Sequence, residues 1–461
     1  MSKAVNKTNK KANPPELDNS GIAQISVAGY KSISQETSIE IRPLTILAGA
    51  NSSGKSSIMQ PLLLLKQTLE APYDPGPLKL DGPVLRFTSA EQLLSRIGKR
   101  KLNDTFSISI RDTKGATLKI VYSRANKNVE IQEMSLSGYE EKFLNLRPNL
   151  SQKEIFDILS STEVGKHILS QMQKISSDGN LHIRPSITRN RCFLDLELTL
   201  ENNAQRMKFY LLDEVSTETT KKKITNLIHL PGLRGNPERT YSITAVSQTF
   251  PGTFESYAAS VIAHWQTSKN KEKLDLLGKA LQILGLSWKV EAEPVDGTKV
   301  ELRVGRLPLV AKGGNKDLVS IADVGFGVSQ TLPVIVALLV AEPGQLVYLE
   351  QPEIHLHPRA QTALAQLLSD AAKRGVRVVV ETHSSLLLLG VQSLVAEGTL
   401  PTNLVKLHWF SRNADGMTEV TSTDLDETGA FGDWPEDFAE VSLEAQDRYL
   451  TAAELQIFKK N

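Results

Sequence analysis

The sequence predicts an α/β fold: a core sheet with flanking helices, divided by a large α+β insertion. Three observations predict it. Near the start, the apolar run "LTILAG" stops at Gly49 and passes through a Gly/Ser turn into the helix-like segment "SSIMQPLLLLKQTLE". From Asp323 onward, helix-like and strand-like runs alternate as "SQTLPVIVALLVA", "QLVYLE", "PRAQTALAQLLSDAAKR" and "VRVVVETHS". Between them, over about residues 80–310, short alternating strands such as "TFSISIRD", "TLKIVYS", "FLDLELTL" and "KVELRVG" are broken by polar helical stretches. The early and late segments each lack the partner strands that the other supplies, so they read as one core split by the middle of the chain.

Taken in order, residues 1–20 are polar and basic and are expected to form a disordered tail. Residues 21–95 hold strand-like "AQISVAGYKSI" and "TSIEI" and then the Gly/Ser turn; Pro61 is expected to bend the following helix or loosen one of its hydrogen bonds. Residues 96–310 form the insertion, which has neither sustained heptads nor an internal repeat, and residues 311–461 return to the core.

Bulk properties exclude some classes. With 53 basic against 52 acidic residues the net charge is +1, so any pull toward nucleic acid or an anionic membrane has to come from a local patch. The longest apolar run, Leu332 to Ala341, is far short of the roughly 20 residues that span a bilayer. The lone Cys192 has no internal partner, which fits a reducing compartment, and the cytoplasm is the expected location.

"GANSSGKSS", Gly49-Ala50-Asn51-Ser52-Ser53-Gly54-Lys55-Ser56-Ser57, is a full match to G-x-x-x-x-G-K-S/T between a strand and a helix. In such a loop the backbone N–H groups wrap phosphates, Lys55 reaches the β- and γ-phosphates of ATP, and Ser56 offers its hydroxyl to Mg²⁺. "VYLEQPEIHLHP" places Glu350 at the tip of an apolar strand, as a Mg²⁺-side carboxylate. Gln351 follows; it can orient a water but cannot take its proton, which makes Glu353 the nearest substitute base. Glu353, His355 and His357 alternate and would share one face of an extended chain, a spacing that also admits a metal site. His383, in "VVVETHSS", ends another apolar strand, within reach of a γ-phosphate or an attacking water. Gly325, Gly327, Ser329 and Gln330 open a helix in "DVGFGVSQ"; they read either as a second anion-binding end or as a flexible helix start.

This order of motifs resembles the ABC-class ATPase heads, the group that contains RecF, SMC and OLD-type proteins. "ISVAGYKSI" is similar to their first strand, "DVGFGVSQ" stands in the signature position, "LEQPEIHLHP" at Walker B, and "ETHS" at the switch histidine. Within that group it looks most like the stand-alone, OLD-like AAA ATPases of bacterial defence operons. "LPGLRGNPERTY" (Leu230 to Tyr241) resembles their Arg motif and "GAFGDWPEDF" (Gly429 to Phe438) their closing segment. The match covers about residues 22–95 and 228–440. It implies an ABC-ATPase head that forms a head-to-tail ATP sandwich, with Lys55 and Ser56 of one subunit facing Gly327 and Ser329 of another, and it puts Gln92 where a Mg²⁺-sensing glutamine falls. The signature lacks the Leu-Ser-Gly-Gly order, and Walker B has Glu-Gln for Asp-Glu.

The expected function is a cytoplasmic ATPase, slow because Gln351 replaces the usual Glu, that forms dimers or higher oligomers through ATP. It would regulate a separately encoded effector, a nuclease above all, in an anti-phage system such as Septu or PARIS, with DNA or a phage product as trigger. About 20 residues follow "DWPEDF", with no acidic nuclease cluster, so the nuclease is expected on another chain. A nucleotide-gated scaffold that does not hydrolyse, and a RecF-like DNA repair ATPase using the basic clusters Arg96 to Lys101 and Lys221 to Lys223, are the alternatives.

Overall fold

The computed structural model describes residues 21–432 apart from 98–100, 126–127, 139–142, 162–165, 168, 171–173, 175–181, 202–205, 211–216 and 307–316. The tail expected over 1–20 and the Trp434-Pro435 part of the closing segment lie outside the described residues.

The core is a six-stranded sheet in the spatial order Ile228–Leu230, Leu346–Glu350, Arg377–Glu381, Leu44–Gly49, Val405–Arg412 and Thr418–Thr423. The first five run parallel and the last closes an antiparallel hairpin. Parallel strands buried on both faces need near-continuous apolar runs, which is what "LTILAG" and "RVVVE" supply. On one face Ile46, Ala48, Val347, Leu349, Val378 and Val380 pack with the helices Phe326–Val340, Pro358–Lys373 and Ser385–Ala396. On the other, Leu47, Tyr348, Val379 and Phe410 pack with the helix Lys55–Leu69.

That helix is central. Eleven of its fifteen residues are buried, which is why "PLLLLKQT" shows no polar face, and it runs unbroken through Pro61. Buried Lys66 is satisfied by Glu70 and by the carbonyls of Thr225 and Phe250. Beyond the helix lies a second six-stranded sheet, antiparallel, in the order Thr37–Glu40, Ile22–Ala28, Thr105–Asp112, Thr117–Ala125, Asn128–Ser137 and Phe143–Leu146.

This arrangement redraws the insertion expected over 96–310. The strand Thr105–Asp112 pairs with Ile22–Ala28, so a boundary near residue 95 passes through the middle of a sheet. The strand Ile228–Leu230 joins the core sheet beside Leu346–Glu350, and the helices Ala258–Thr267 and Lys271–Ile283 bury apolar side chains in the core cluster. An alternating strand carries the same pattern whether it starts a new sheet or extends an old one, and only pairing tells the two apart. The three-stranded sheet His182–Asn190, Phe193–Glu201 and Arg206–Tyr210 pairs with neither large sheet, but its Phe193, Leu194, Leu196 and Leu198 pack into the apolar core of the second.

Candidate active site at the carboxyl edge of the core sheet

Parallel order brings Leu230, Glu350, Glu381 and Gly49 to the same edge of the sheet. At that edge the chain leaves Gly49 with φ 137° and re-enters the helix through Gly54 with φ 108°. Both positions demand glycine for space as well as conformation. A Cβ on Gly49 would lie 2.1 Å from the Phe410 carbonyl oxygen, and one on Gly54 would lie 2.2 Å from the Thr418 hydroxyl.

Between them Ala50, Asn51 and Ser52 are exposed, while Ser53 and Lys55 are buried and Ser57 is half-buried on the first turn of the helix. The hairpin Val405–Thr423 braces this loop from outside. Thr418 Oγ1 lies 2.8 Å from both the Ser53 carbonyl and the Ser32 hydroxyl, and Arg412 donates to the Ser52 carbonyl at 2.7 Å. Neither Arg412 nor Thr418 stood out in the sequence, since each acts through a neighbouring strand. The helix begins without a side-chain cap, so its free N–H groups and positive dipole end face the loop. Lys55 donates to the carbonyls of Gly49 (3.0 Å) and Ala50 (2.7 Å); burial lowers its pKa, opposed by the charge of Glu381.

Glu350 and Glu381 are cross-strand partners at the strand tips. Glu381, which carried no assignment from the sequence, accepts a hydrogen bond from Ser56 Oγ at 2.9 Å and another from the Tyr348 hydroxyl at 2.9 Å. Burial pushes its carboxyl up, and the charge of Glu350 adds to that. Glu350 is more open and meets His229 Nε2 at 2.9 Å, with the Gly232 N–H at 3.4 Å. His229 is buried and stacks on Tyr348, so its ring holds Glu350 from the neighbouring strand.

Arg234 of the Arg motif, itself buried, donates to the carbonyls of Glu350 (3.0 Å) and Gln330 (3.2 Å). One guanidinium therefore ties the Glu350 strand to the signature helix. Arg239 adds an exposed two-pronged contact to Asp323, just before that helix.

Gln351 has φ 44°, a left-handed conformation that costs a non-glycine residue roughly 1 kcal/mol, and its N–H donates to the Glu381 carbonyl at 2.7 Å. The chain therefore turns at Gln351, and Glu353, His355 and His357 do not share a face. Glu353 is buried, whereas His355 and His357 are exposed. The His355 ring lies against Phe326, and His357 caps the helix Pro358–Lys373 by accepting from the Arg359 N–H. The extended backbone that would have aligned three metal ligands is absent here.

Glu353 also differs from a solvent-facing base. One oxygen accepts from the Thr382 hydroxyl and from the His383 N–H at 3.2 Å, and the other is buried without a hydrogen-bond partner. Burial pushes its carboxyl up. These contacts make Glu353 the residue that holds the switch-histidine loop. His383 is half-buried beside the Gly49 carbonyl, and burial and then Lys55 lower its pKa, so the ring is neutral near pH 7 and able to hydrogen-bond a water.

At the signature, Gly325 and Phe326 are exposed and Gly327 is partly so. Ser329 is nearly buried and donates back to the Phe326 carbonyl at 3.2 Å, while Gln330 donates to Gly235 at 2.9 Å. Both side chains point into their own subunit, because they begin the apolar face of the helix; what the segment presents outward is the stretch Gly325 to Gly327. Gln92 is exposed and spends its amide on Thr88, at 2.8 and 3.0 Å, which leaves it out of the cluster around Ser56.

Of the basic clusters, Lys221 lies over the Phe193 ring, Lys222 is 3.9 Å from Glu218, and Lys223 pairs with Asp112 at 2.7 Å. Arg96 is exposed, and residues 98–100 lie outside the described residues. No described helix is long and apolar enough to cross a membrane.

A family model described as AAA ATPase domain matches residues 21–388. No curated protein matches the chain. Among solved structures, it is similar to an SMC head bound to the C-winged helix domain of ScpA (13% identity, 88% of this chain and 98% of that chain, TM-score 0.46). It is also similar to the Smc head domain with a coiled coil and joint from Pyrococcus yayanosii (11% identity, 93% and 100%, TM-score 0.46). A third is the SMC head domain from Thermotoga maritima (10% identity, 87% and 98%, TM-score 0.39). With a phosphate-binding loop, its lysine and two strand-tip carboxylates gathered within the matched span, the chain belongs to the AAA ATPase domain family and binds and hydrolyses ATP.

Proposed function

We propose that this ATPase is a slow nucleotide switch whose ATP-bound form pairs head to tail with a second copy and in that state acts on a separately encoded protein, a nuclease of an anti-phage system being the leading candidate. The observation that carries it is the composition of the carboxyl edge. The Gly49–Ser57 loop with Lys55, Ser56 and the carboxylates of Glu350 and Glu381 lie together there, while Gln351 takes the place at which the resemblance expects a strong base.

The donor set fits the cation. Ser56 and Glu350 offer hard oxygen ligands, as Mg²⁺ prefers, and Glu381 is hydrogen-bonded to Ser56 beside them. Among the described residues no group of three or more His, Cys, Asp or Glu gathers as a cation site, and Mg²⁺ in phosphoryl-transfer sites is completed by phosphate oxygens and water. When bound, it neutralises the β- and γ-phosphate oxygens. The chain's own part is to cradle the phosphates on the Gly49–Ser57 loop and helix end, to move Lys55 from the loop carbonyls onto them, and to orient the attacking water with Gln351 and His383. A neutral amide in place of a base costs about 10²–10⁴ in rate, which prolongs the closed state. The exposed Gly325 to Gly327 segment, with its uncapped helix end, is the surface offered to the other copy's nucleotide.

The test is mass photometry with ATP, ADP and no nucleotide, alongside phosphate release, for the wild type and Lys55→Ala. ATP-dependent pairing that is lost in Lys55→Ala supports the switch; pairing indifferent to nucleotide rejects it. Co-purification with the product of a neighbouring nuclease gene, released by hydrolysis, supports the effector. Duplex DNA that binds with a steep salt dependence and speeds phosphate release would support a recombination-type ATPase in its place.

A further inference from the structure

We infer that Glu381 is a positioning residue for the divalent cation: it accepts the hydrogen bond of the Ser56 hydroxyl, so that the lone pairs of that oxygen are left for the metal. The inference rests on the reading of Ser56 as a cation ligand and adds a residue to it.

A serine hydroxyl has one proton and two lone pairs, and left free it rotates. Here the proton is committed, because Ser56 Oγ lies 2.9 Å from one oxygen of Glu381. Its second oxygen is locked by the Tyr348 hydroxyl, from a side chain that is itself completely buried. Its backbone carbonyl is held by the Gln351 N–H. Glu381 is 6% exposed, the hydrogen-bond donors at its carboxylate are neutral hydroxyls, and the charge of Lys55, whose ammonium donates to the loop carbonyls, offsets its burial only in part.

Burying a carboxylate costs several kcal/mol unless charge compensates it. As packing alone, a neutral side chain would serve Tyr348 as well. With Glu350 as its cross-strand neighbour, two carboxylates meet at one sheet edge, and a doubly charged cation beside Ser56 relieves both. Outer-sphere residues of this kind orient the ligand that touches the metal.

The experiment is equilibrium binding of a fluorescent ATP analogue to the full chain, titrated with Mg²⁺ and repeated in EDTA, for wild type, Glu381→Gln, Ser56→Ala and the double variant. We expect Glu381→Gln to raise the half-saturating Mg²⁺ concentration about tenfold, the lower end of what loss of an outer-sphere partner costs. Affinity in EDTA should stay within about twofold, and the double variant should be no worse than Ser56→Ala because the two act in series. Wild-type binding that ignores Mg²⁺ overturns the cation reading itself. Wild-type binding that needs Mg²⁺, with Glu381→Gln unchanged or equally weakened in EDTA, overturns the role of Glu381 alone. Should Glu381→Gln not fold, Glu381→Asp keeps the charge but withdraws it from Ser56; the same shift supports the inference and an unshifted titration overturns it.

Discussion

The His383 N–H donates to the Glu353 carboxylate at 3.2 Å, so the turn after one strand fixes the loop after its neighbour. That relationship makes Glu353 a structural tie as well as a candidate base. Glu353→Gln keeps an acceptor for Thr382 and His383 and is expected to lower kcat less than about tenfold, against the 10²–10⁴ expected for loss of a base. Glu353→Ala strips both donors of their partner and is expected to cost on the order of 2–3 kcal/mol of stability. Steady-state phosphate release and urea unfolding on both variants check this; a Glu353→Gln loss beyond a hundredfold at unchanged stability would restore Glu353 as the base.

The phosphate loop and the strand tips were legible because each is a local pattern: an apolar run, a glycine turn, a helix. Glu381 was hidden in plain view in "VVVETHSS", where the histidine draws attention and the decisive partner, Ser56, is 325 residues away. His229 and Thr418 escape the sequence for the same reason, and Arg234 stands out there only as part of a motif, since their roles exist only once strand order puts them beside Glu350 or the loop. The shared face of Glu353, His355 and His357 fails because alternation implies one only in extended chain, and the left-handed Gln351 ends that condition two residues earlier.

Arg234 is the joint between the Glu350 strand and the signature helix. Replacing it with alanine leaves two carbonyls without their donors and is expected to cost on the order of 3 kcal/mol. Arg234→Lys keeps the charge but cannot span both carbonyls. For Lys we expect ATP affinity near wild type and ATP-driven pairing reduced about tenfold, the size of a coupling of 1–2 kcal/mol. Nucleotide titration beside mass photometry separates the two effects, and a parallel loss in both would deny the coupling.

His408 supplies a pH dependence with a definite sign. Its Nδ1 is 2.7 Å from the Ser422 hydroxyl and its Nε2 2.8 Å from the Glu40 carbonyl, a pattern that the neutral ring satisfies. Burial, foremost, lowers its pKa from 6.5 to about 4. Between those values the unfolded chain binds a proton that the folded chain refuses. Stability is therefore full above pH 6.5 and is lost as pH falls toward 4, by about 3 kcal/mol from this group. Urea midpoints at pH 7, 5 and 4 should fall more steeply for wild type than for His408→Gln; equal slopes would rule out His408 as the source.

Leu233, Phe326 and Ile354 are 87%, 53% and 47% exposed, and all three border the site. Leu233 follows the Gly232 that meets Glu350, Ile354 lies three residues past Gln351, and Phe326 leans on His355 beside it. Large apolar side chains at the mouth of a charged site gain nothing in a lone chain, and in the proposed pair they would supply the apolar centre that such a surface needs. Phe326→Asp removes little buried area and is expected to leave stability within about 0.5 kcal/mol. Binding of ATP by the separate chain should be unchanged, because Phe326 lies across the site from the Gly49–Ser57 loop in the proposed pair. ATP-driven pairing should fall at least tenfold, since a central anchor contributes more than about 1.4 kcal/mol. Pairing that survives both Phe326→Asp and Leu233→Asp would move the contact to another face and with it the assignment of Gly325 to Gly327.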